Sequence, residues 1–336
     1  MVTTGVLRVG LDLDGSLESL SNSMDDLASA LDRREDLELQ RFRTMSAPRS
    51  SAEHRLARRS LWAPWWQRSR GRAIDTLLPP VDVIHVAGRA TPPSRNVPLL
   101  ISVDDLRPLR VERGRQRVAQ LQRAVRRGAV LVVSSRAARS EVRTVMGLER
   151  PEIVVVRPPV TPIDATRDGT ALVVSVNGNT ERFEALAADL QAFADRHRAP
   201  WFVIASAAAL ARVRALGVAA TLVERRDAAS TLARARVVVS VSDGARFPSI
   251  AVAALSAGVP TLARAIDINR ELLSGAAALI QRDDEALEAL EDLWSNEARR
   301  AILIAAGRAR AADFSPWNVA SAYATLYVEV AHRGRG

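Results

Sequence analysis

Val237-Val238-Val239-Ser240-Val241-Ser242-Asp243-Gly244-Ala245-Arg246-Phe247-Pro248-Ser249-Ile250-Ala251-Val252-Ala253-Ala254-Leu255-Ser256-Ala257-Gly258-Val259-Pro260 decides how this chain is read. The β-branched run reads as a buried strand, and Asp243-Gly244 as a loop. A helix starts near Pro248, Gly258 caps its C-terminal end and Pro260 stops it. The start of such a helix presents free N–H groups and the positive end of its dipole, a natural seat for a diphosphate. The same residues also suit an ordinary strand–loop–helix with no ligand.

Outward from this stretch the alternation repeats. Apolar runs predict strands over residues 6–11, 37–42, 81–85, 99–103, 130–133 and 153–156, with helices over 22–32, 113–127 and 136–146. After Arg157-Pro158-Pro159 and a polar linker over 161–170 the pattern restarts. It gives strands over 172–176, 202–205, 220–223 and 237–241, and helices over 183–197 and from Ala207. Residues 285–294, 297–311 and 318–330 then read as three successive helices. Strands separated by helices predict parallel sheets, so the expected class is α/β with two Rossmann-like domains in succession, facing across a cleft.

The length of 336 residues fits two such domains, and 48% hydrophobic with 25% charged residues is a soluble globular composition. Every one of the 47 basic residues is Arg, Cys is absent and His numbers four. That excludes Schiff-base and P-loop lysine chemistry, disulfides, thiolate metal sites and cysteine nucleophiles, and it argues against a multi-His metal site. No G-x-G-x-x-G or P-loop pattern supports a dinucleotide oxidoreductase or a nucleoside triphosphatase. Asp12 and Asp14 interrupt the first apolar run and no stretch nears ~18 apolar residues, so a cytoplasmic protein is expected. The formal charge of +9 is unevenly spread: residues 1–165 carry 27 Arg against 19 acids, residues 166–336 carry 20 against 19.

The 237–260 stretch resembles the donor-site motif of family-4 glycosyltransferases of GT-B fold, E-G-F-G-L-P-x-x-E-A-x-A-x-G-x-P. The resemblance extends along the chain. Residues 79–85 look like the family's D-V-x-H strand, 101–109 like V-H-D-L-x-P-L, 131–136 like A-V-S-x-x-T and 155–160 like V-V-x-P-P-V. Phe314-Ser315-Pro316-Trp317 with Tyr327 resembles the terminal F-S-W…Y segment. The resemblance implies an N-terminal acceptor domain over 1–160, completed by a C-terminal helix over 317–332 that packs back on it. A nucleotide-sugar domain would occupy 161–316. It further implies a retaining, metal-independent hexosyltransferase that needs no cofactor beyond its nucleoside diphosphate sugar.

Transferred position by position, the motif places Asp243 on the donor sugar and Phe247, Pro248, Ser249, Ile250 and Ala251 along the donor seat. Gly178 belongs to the phosphate-side loop, where Arg182 suits either a phosphate contact or a solvated helix start; Arg246 is the second candidate cation. Asp104 and Asp105 fall on the acceptor side, where one could polarise a hydroxyl. The pattern also departs from the family. Asp243 is one methylene shorter than the usual Glu, Ala251 replaces the carboxylate that holds the ribose, Asp104 replaces a His, and the first glycine-rich loop is reduced to Gly15 followed by Ser16. These departures support the alternative of a degenerate GT-B protein serving as a binding or scaffold subunit of a glycosyltransferase complex.

Residues 41–72 hold nine Arg against the single Glu53, with Trp62, Trp65 and Trp66 among them. Arg beside Trp suits contact with anionic lipid, in keeping with a glycan or lipid-linked acceptor; the alternative is a helix that packs its Trp inward and leaves its Arg in water. No nucleic-acid-binding motif accompanies the charge, which disfavours a nucleic-acid partner.

Overall fold

Each buried β-branched run becomes a strand of an all-parallel sheet, and two such sheets form the cores of two separate units. The structure is a computed structural model that describes residues 5–14, 23–66, 68, 70–87, 91–103, 105–110, 114–147, 152–163, 169–178 and 180–333. The expected site residues Gly15, Ser16 and Asp104, and the expected helix starts at Asn22 and Arg113, lie outside the described residues. Unit 1 runs to Pro159 and resumes at Pro316, and unit 2 holds Val160–Ser315.

Unit 1 has strands β1 (Leu7–Asp12), β2 (Leu37–Phe42), β3 (Glu53–His54), β4 (Val83–Val86), β5 (Leu99–Ser102), β6 (Val130–Val133) and β7 (Ile153–Val155), in the order β3-β2-β1-β4-β5-β6-β7. Its helices are α1 (Ser23–Leu31), α2 (Arg59–Trp66), α3 (Arg107–Arg110), α4 (Arg115–Arg126) and α5 (Arg136–Met146). β4, β5 and β6 are buried at every position, as expected for strands covered on both faces. Helix α5 shows how local sequence sets a boundary: Ser135 Oγ accepts from Ala138 N at 3.0 Å, and Gly147 ends the helix in the left-handed region at φ 57°.

Unit 2 has strands β8 (Ala171–Asn177), β9 (Trp201–Ala205), β10 (Thr221–Glu224), β11 (Ala235–Ser242), β12 (Thr261–Arg264) and β13 (Ala278–Ile280), in the order β10-β9-β8-β11-β12-β13. Its helices are α6 (Thr180–Arg196), α7 (Ala207–Ala215), α8 (Ala228–Ala233), α9 (Ser249–Ser256), α10 (Asp267–Leu273), α11 (Ala286–Ser295) and α12 (Glu297–Ala311). The last helix, α13 (Pro316–Arg333), returns to unit 1 and packs on α1. Strands β3, β12 and β13 do not stand out in the sequence. They are two to four residues long, and β12 and β13 contain Ala; pairing with the neighbouring strand, rather than propensity, makes them strands.

Helix α13 is held to unit 1 by shape and by one polar chain. Val319, Ala320, Tyr323, Ala324, Tyr327 and Val330 recur at helical spacing and join Met24, Leu27, Ala28 and Leu31 of α1 in the core. Fully buried His85, on β4, hydrogen-bonds Tyr327 Oη through Nδ1 and Ser102 Oγ through Nε2, both at 2.8 Å. Burial presses the His85 pKa down to about 3, so the ring stays neutral, and it raises that of the Tyr327 phenol.

Tyr327→Phe leaves the imidazole Nδ1 buried without its partner and should cost about 1–3 kcal/mol in urea unfolding. Because the unfolded chain protonates His85 first, its contribution is intact above pH 6.5 and is lost as pH falls toward 3, with a slope of up to about 1.4 kcal/mol per pH unit. His85→Gln, which takes up no proton, should remove that slope from unfolding curves collected across this range.

Candidate functional site

In the second sheet the chain runs from β8 outward to β9 and β10, then crosses back to place β11 on the other side of β8. The carboxyl ends of β8 and β11 therefore flank the topological switch point, where open parallel sheets present their crevice. The two strands end in register, Asn177 opposite Ser242. Next come Gly178, with φ 90°, and the half-buried Asp243 followed by Gly244 at φ 75°. A Cβ on Gly178 would stand 3.0 Å from Asp243 Oδ2, so glycine is what lets the carboxylate lie over the end of β8. The other oxygen, Oδ1, accepts from Ala245 N at 2.8 Å, and Ser242 Oγ accepts from Gly244 N at 3.1 Å. These two local bonds shape the turn.

The turn delivers the chain into α9. Phe247 O accepts from Ser249 N at 2.9 Å, Pro248 O accepts from Val252 N at 3.0 Å, and no side chain caps the helix start. Pro at this boundary has no N–H to lose and a φ suited to helix entry. Arg246, Phe247, Pro248, Ser249, Ile250 and Ala251 are all buried, and the Phe247 ring lies 5.5 Å from that of Phe314. The wholly buried methyl of Ala251 offers no hydrogen-bonding group.

Two more arginines converge on these strand ends. Arg182, in the first turn of α6, donates through Nε at 2.8 Å and also through Nη2 to Asp283 Oδ1, while its Nη1 reaches Ser242 O at 3.3 Å. Asp283 lies beyond β13 and also meets Arg264 at 3.8 Å. Arg225, in the turn after β10, donates through Nη2 to Asn177 Oδ1 at 2.8 Å and to Val176 O at 3.2 Å. The structure thus brings together Gly178, Arg182, Asp243, Arg246 and the 247–251 segment within unit 2. Asn177, Arg225 and Asp283 were not anticipated. Asn177 ends a strand that already contains the polar Ser175, and Arg225 and Asp283 sit in polar turns, so nothing in the sequence marks these three.

At the strand ends of unit 1, carboxylates gather instead. Asp12, fully buried at the end of β1, accepts from Thr44 Oγ1 at 2.7 Å, Thr44 N at 3.2 Å and Asp14 N at 3.0 Å. Asp14 accepts from Ser46 N at 2.9 Å and from Met45 N and Ser46 Oγ. Arg43, 3% exposed, donates to Glu53 at 2.8 Å and to Leu13 O at 2.8 Å, and lies 3.7 Å from Asp14 and 3.6 Å from Asp25. Burial, with the neighbouring Asp14 charge, raises the Asp12 pKa to about 7. Asp105 accepts from Arg107 through its N, Nε and Nη2 at 2.7–3.2 Å, so it starts α3 as a capping acid.

The basic segment divides. Arg43 turns inward and Arg41 pairs with Asp32. Trp66 is fully buried, its Nε1 donating to Arg72 O at 2.9 Å while its carbonyl accepts from Gln120 Nε2 and Thr91 N. Leu61 and Trp65, one helical turn apart on α2, are 57% and 49% exposed, and Arg55, Arg58, Arg68, Arg70 and Arg72 are exposed as well. Among the described residues no helix is long and apolar enough to cross a membrane, and no group of three or more His, Asp or Glu is arranged to hold a metal ion.

Asp12→Asn checks the acid network. An amide can accept from the Thr44 and Asp14 N–H groups through Oδ1 and donate to Thr44 Oγ1, as the protonated acid does. The wild-type contribution is full below pH 3.8 and is lost as pH rises through about 7. The stability advantage of the variant should therefore grow by up to about 1.4 kcal/mol per pH unit across that window and level off above it, read by urea unfolding.

No protein-family model and no curated protein sequence matches the chain. Solved structures do. Sucrose-phosphate synthase from Thermosynechococcus elongatus is similar over 96% of this chain and 99% of its own, with TM-score 0.71 and 15% identity. WaaG, a glycosyltransferase involved in lipopolysaccharide biosynthesis, gives TM-score 0.63 at 14% identity over the same shares, 96% and 99%. Anabaena HepE in complex with UDP and glucose gives TM-score 0.64 at 14% identity, again over 96% and 99%. At these identities the likeness is one of fold: the chain consists of two Rossmann-like units of GT-B type.

Proposed function

We propose that this protein is a glycosyltransferase that moves a sugar from a nucleoside diphosphate sugar to an acceptor hydroxyl, with retention at the anomeric carbon and without a metal. The observation that carries the reading is the juxtaposition at the β8–β11 switch point: the Asp243 carboxylate over Gly178, next to the uncapped start of α9. A helix start supplies N–H donors and positive potential for a diphosphate, and a half-buried carboxylate beside it can accept from sugar hydroxyls. Arg246, carried by the same turn, and Arg182, which engages Asp283, are the candidate cations for the departing diphosphate. That HepE was solved with UDP and glucose supports the choice of donor class. On the acceptor side, Asp104 and Asp105 are the candidates for polarising a hydroxyl, and Asp105 is paired with Arg107.

One observation favours the second reading, a binding or scaffold subunit: Ala251 is fully buried and leaves the ribose without the expected carboxylate. A thermal-shift screen of nucleoside diphosphate sugars separates the two. A donor at 100 times its Kd should add about 2.7 kcal/mol of stability; no shift with any donor favours the scaffold. On the enzyme reading Asp243→Ala should lower turnover by about 100-fold or more, and unchanged turnover would move the site elsewhere.

The exposed Leu61–Trp65 pair among five exposed Arg is proposed to touch an anionic membrane surface, where a lipid-linked acceptor would lie. The wild type should co-sediment with phosphatidylglycerol vesicles and not with phosphatidylcholine vesicles. Leu61→Ser with Trp65→Ser should reduce the bound fraction several-fold; undiminished binding would refute this contact.

A further inference from the structure

The turn over residues 242–247 is anchored from both outer edges of its sheet. On one side Arg225 follows β10, the outermost strand, and its guanidinium bonds Asn177 Oδ1 at 2.8 Å. The Asn177 amide is thereby oriented, and its Nδ2 donates to Phe247 O at 3.3 Å. On the other side Asp283 follows β13, the opposite outermost strand, and holds Arg182, whose Nη1 donates to Ser242 O at 3.3 Å. The two relays meet the turn at its first residue and at Phe247, bracketing Asp243 and Arg246. Arg182 and Arg225 are 9% and 6% exposed, and Asn177 is 3% exposed.

We infer that Arg182 and Arg225 are positioning residues, two buried guanidinium clamps that fix the 242–247 turn through the Ser242 carbonyl and through Asn177. Arg suits this task because its planar group donates in several fixed directions at once, whereas an ammonium is a point charge. Buried, charge-assisted hydrogen bonds hold a geometry better than exposed ones, where water competes. The turn's own two bonds, Asp243 Oδ1 to Ala245 N and Ser242 Oγ to Gly244 N, give it a local shape. The clamps set where that shape stands relative to the ends of β8 and β11. The consequence for ligand binding rests on the donor-site reading above; the ordering of the turn does not.

The experiment compares wild type with Asn177→Asp, Arg225→Gln and Asp283→Asn by amide hydrogen exchange and by calorimetric titration with uridine diphosphate. Asn177→Asp keeps the acceptor for Arg225 but turns a carboxylate oxygen toward Phe247 O, cutting one relay with no change in size. Asp283→Asn, at a half-exposed position, loosens the other relay without emptying a core site. Exchange over 243–248 should accelerate at least tenfold in each variant while peptides from β9 keep their protection, and uridine diphosphate should bind about tenfold more weakly. Unchanged exchange over 243–248 in both Asn177→Asp and Asp283→Asn overturns the inference. Weaker nucleotide binding with unchanged exchange overturns it too, by making the arginines direct ligands. A turn that loosens in a protein that never binds the nucleotide, wild type included, upholds the clamps and removes the donor reading instead. Were Arg225→Gln to lose β9 protection, the other two variants still decide.

Discussion

The pairing of β8 with β11 is the constraint on which unit 2 depends. The ladder runs from Ala171 opposite Ala235 to Asn177 opposite Ser242, with one irregularity between Ala235 and Val237 that leaves the final six pairs in step. A slip of one residue would turn every side chain of one strand to the other face. All seven residues of β8 and all but one of β11 are buried, so such a slip would exchange one packed face for another and separate Asn177 from Ser242. The Gly178–Asp243 approach, the reach of Arg182 to Ser242 O and the bond from Asn177 to Phe247 O all require the strands to end at the same level. The site is thus a consequence of register before it is a matter of any single side chain.

A chain without lysine must do with guanidinium groups what others do with two kinds of cation. Among the described residues four arginines, Arg43, Arg182, Arg225 and Arg246, are less than 10% exposed. Burying a charge costs several kcal/mol unless good partners accompany it. Three of these are shown with theirs: Arg43 bridges Glu53 and the Leu13 carbonyl, Arg182 bridges Asp283 and the Ser242 carbonyl, and Arg225 bridges Asn177 and the Val176 carbonyl. In each case one group links chain segments far apart in sequence. An abundance that reads as a compositional bias becomes, at these positions, a means of cross-linking loops at the ends of strands.

The fold was legible in the sequence wherever burial and periodicity agree. The partly alternating stretch at 37–42 and the apolar run at 130–133 coincide with β2 and β6 to the residue, and 136–146 and 297–311 with α5 and α12. β3, β12 and β13 escaped because two to four residues carry no period, and their state depends on partners distant in sequence. Trp66 and Trp65, adjacent in one basic helix, were indistinguishable by type, yet one is fully buried and the other half-exposed; the buried one bonds Arg72 O through its ring and Gln120 and Thr91 through its carbonyl. At the candidate site the motif-bearing turn was readable from its Asp, Gly and Pro. Asn177, Arg225 and Asp283 were not, since an Arg in a turn looks the same whether it faces water or a carbonyl across the sheet.

Net charge is a poor guide to local charge in this chain. The first half of the chain carries nearly all of the +9, yet the described strand ends of β1 to β3 hold Asp12, Asp14 and Glu53 around the single Arg43. The near-neutral second half gathers Arg182, Arg225, Arg246 and Arg264 at its strand ends against Asp243 and Asp283. The surplus Arg of unit 1 are instead spent on solvent-facing stretches such as the one around α2, where water and salt screen them within about 10 Å. A buried or half-buried group is screened far less, so the potential an incoming ligand meets in a crevice is set by the few charges lining it. A phosphate approaching unit 1 at β1 would face a group of carboxylates, among them Asp12, whose pKa is raised to about 7 by burial and by the Asp14 charge, whereas at β8 and β11 it would face a helix start and several guanidinium groups. The total charge of a half therefore does not set the potential at its strand ends; the few charges that the parallel register brings together there do.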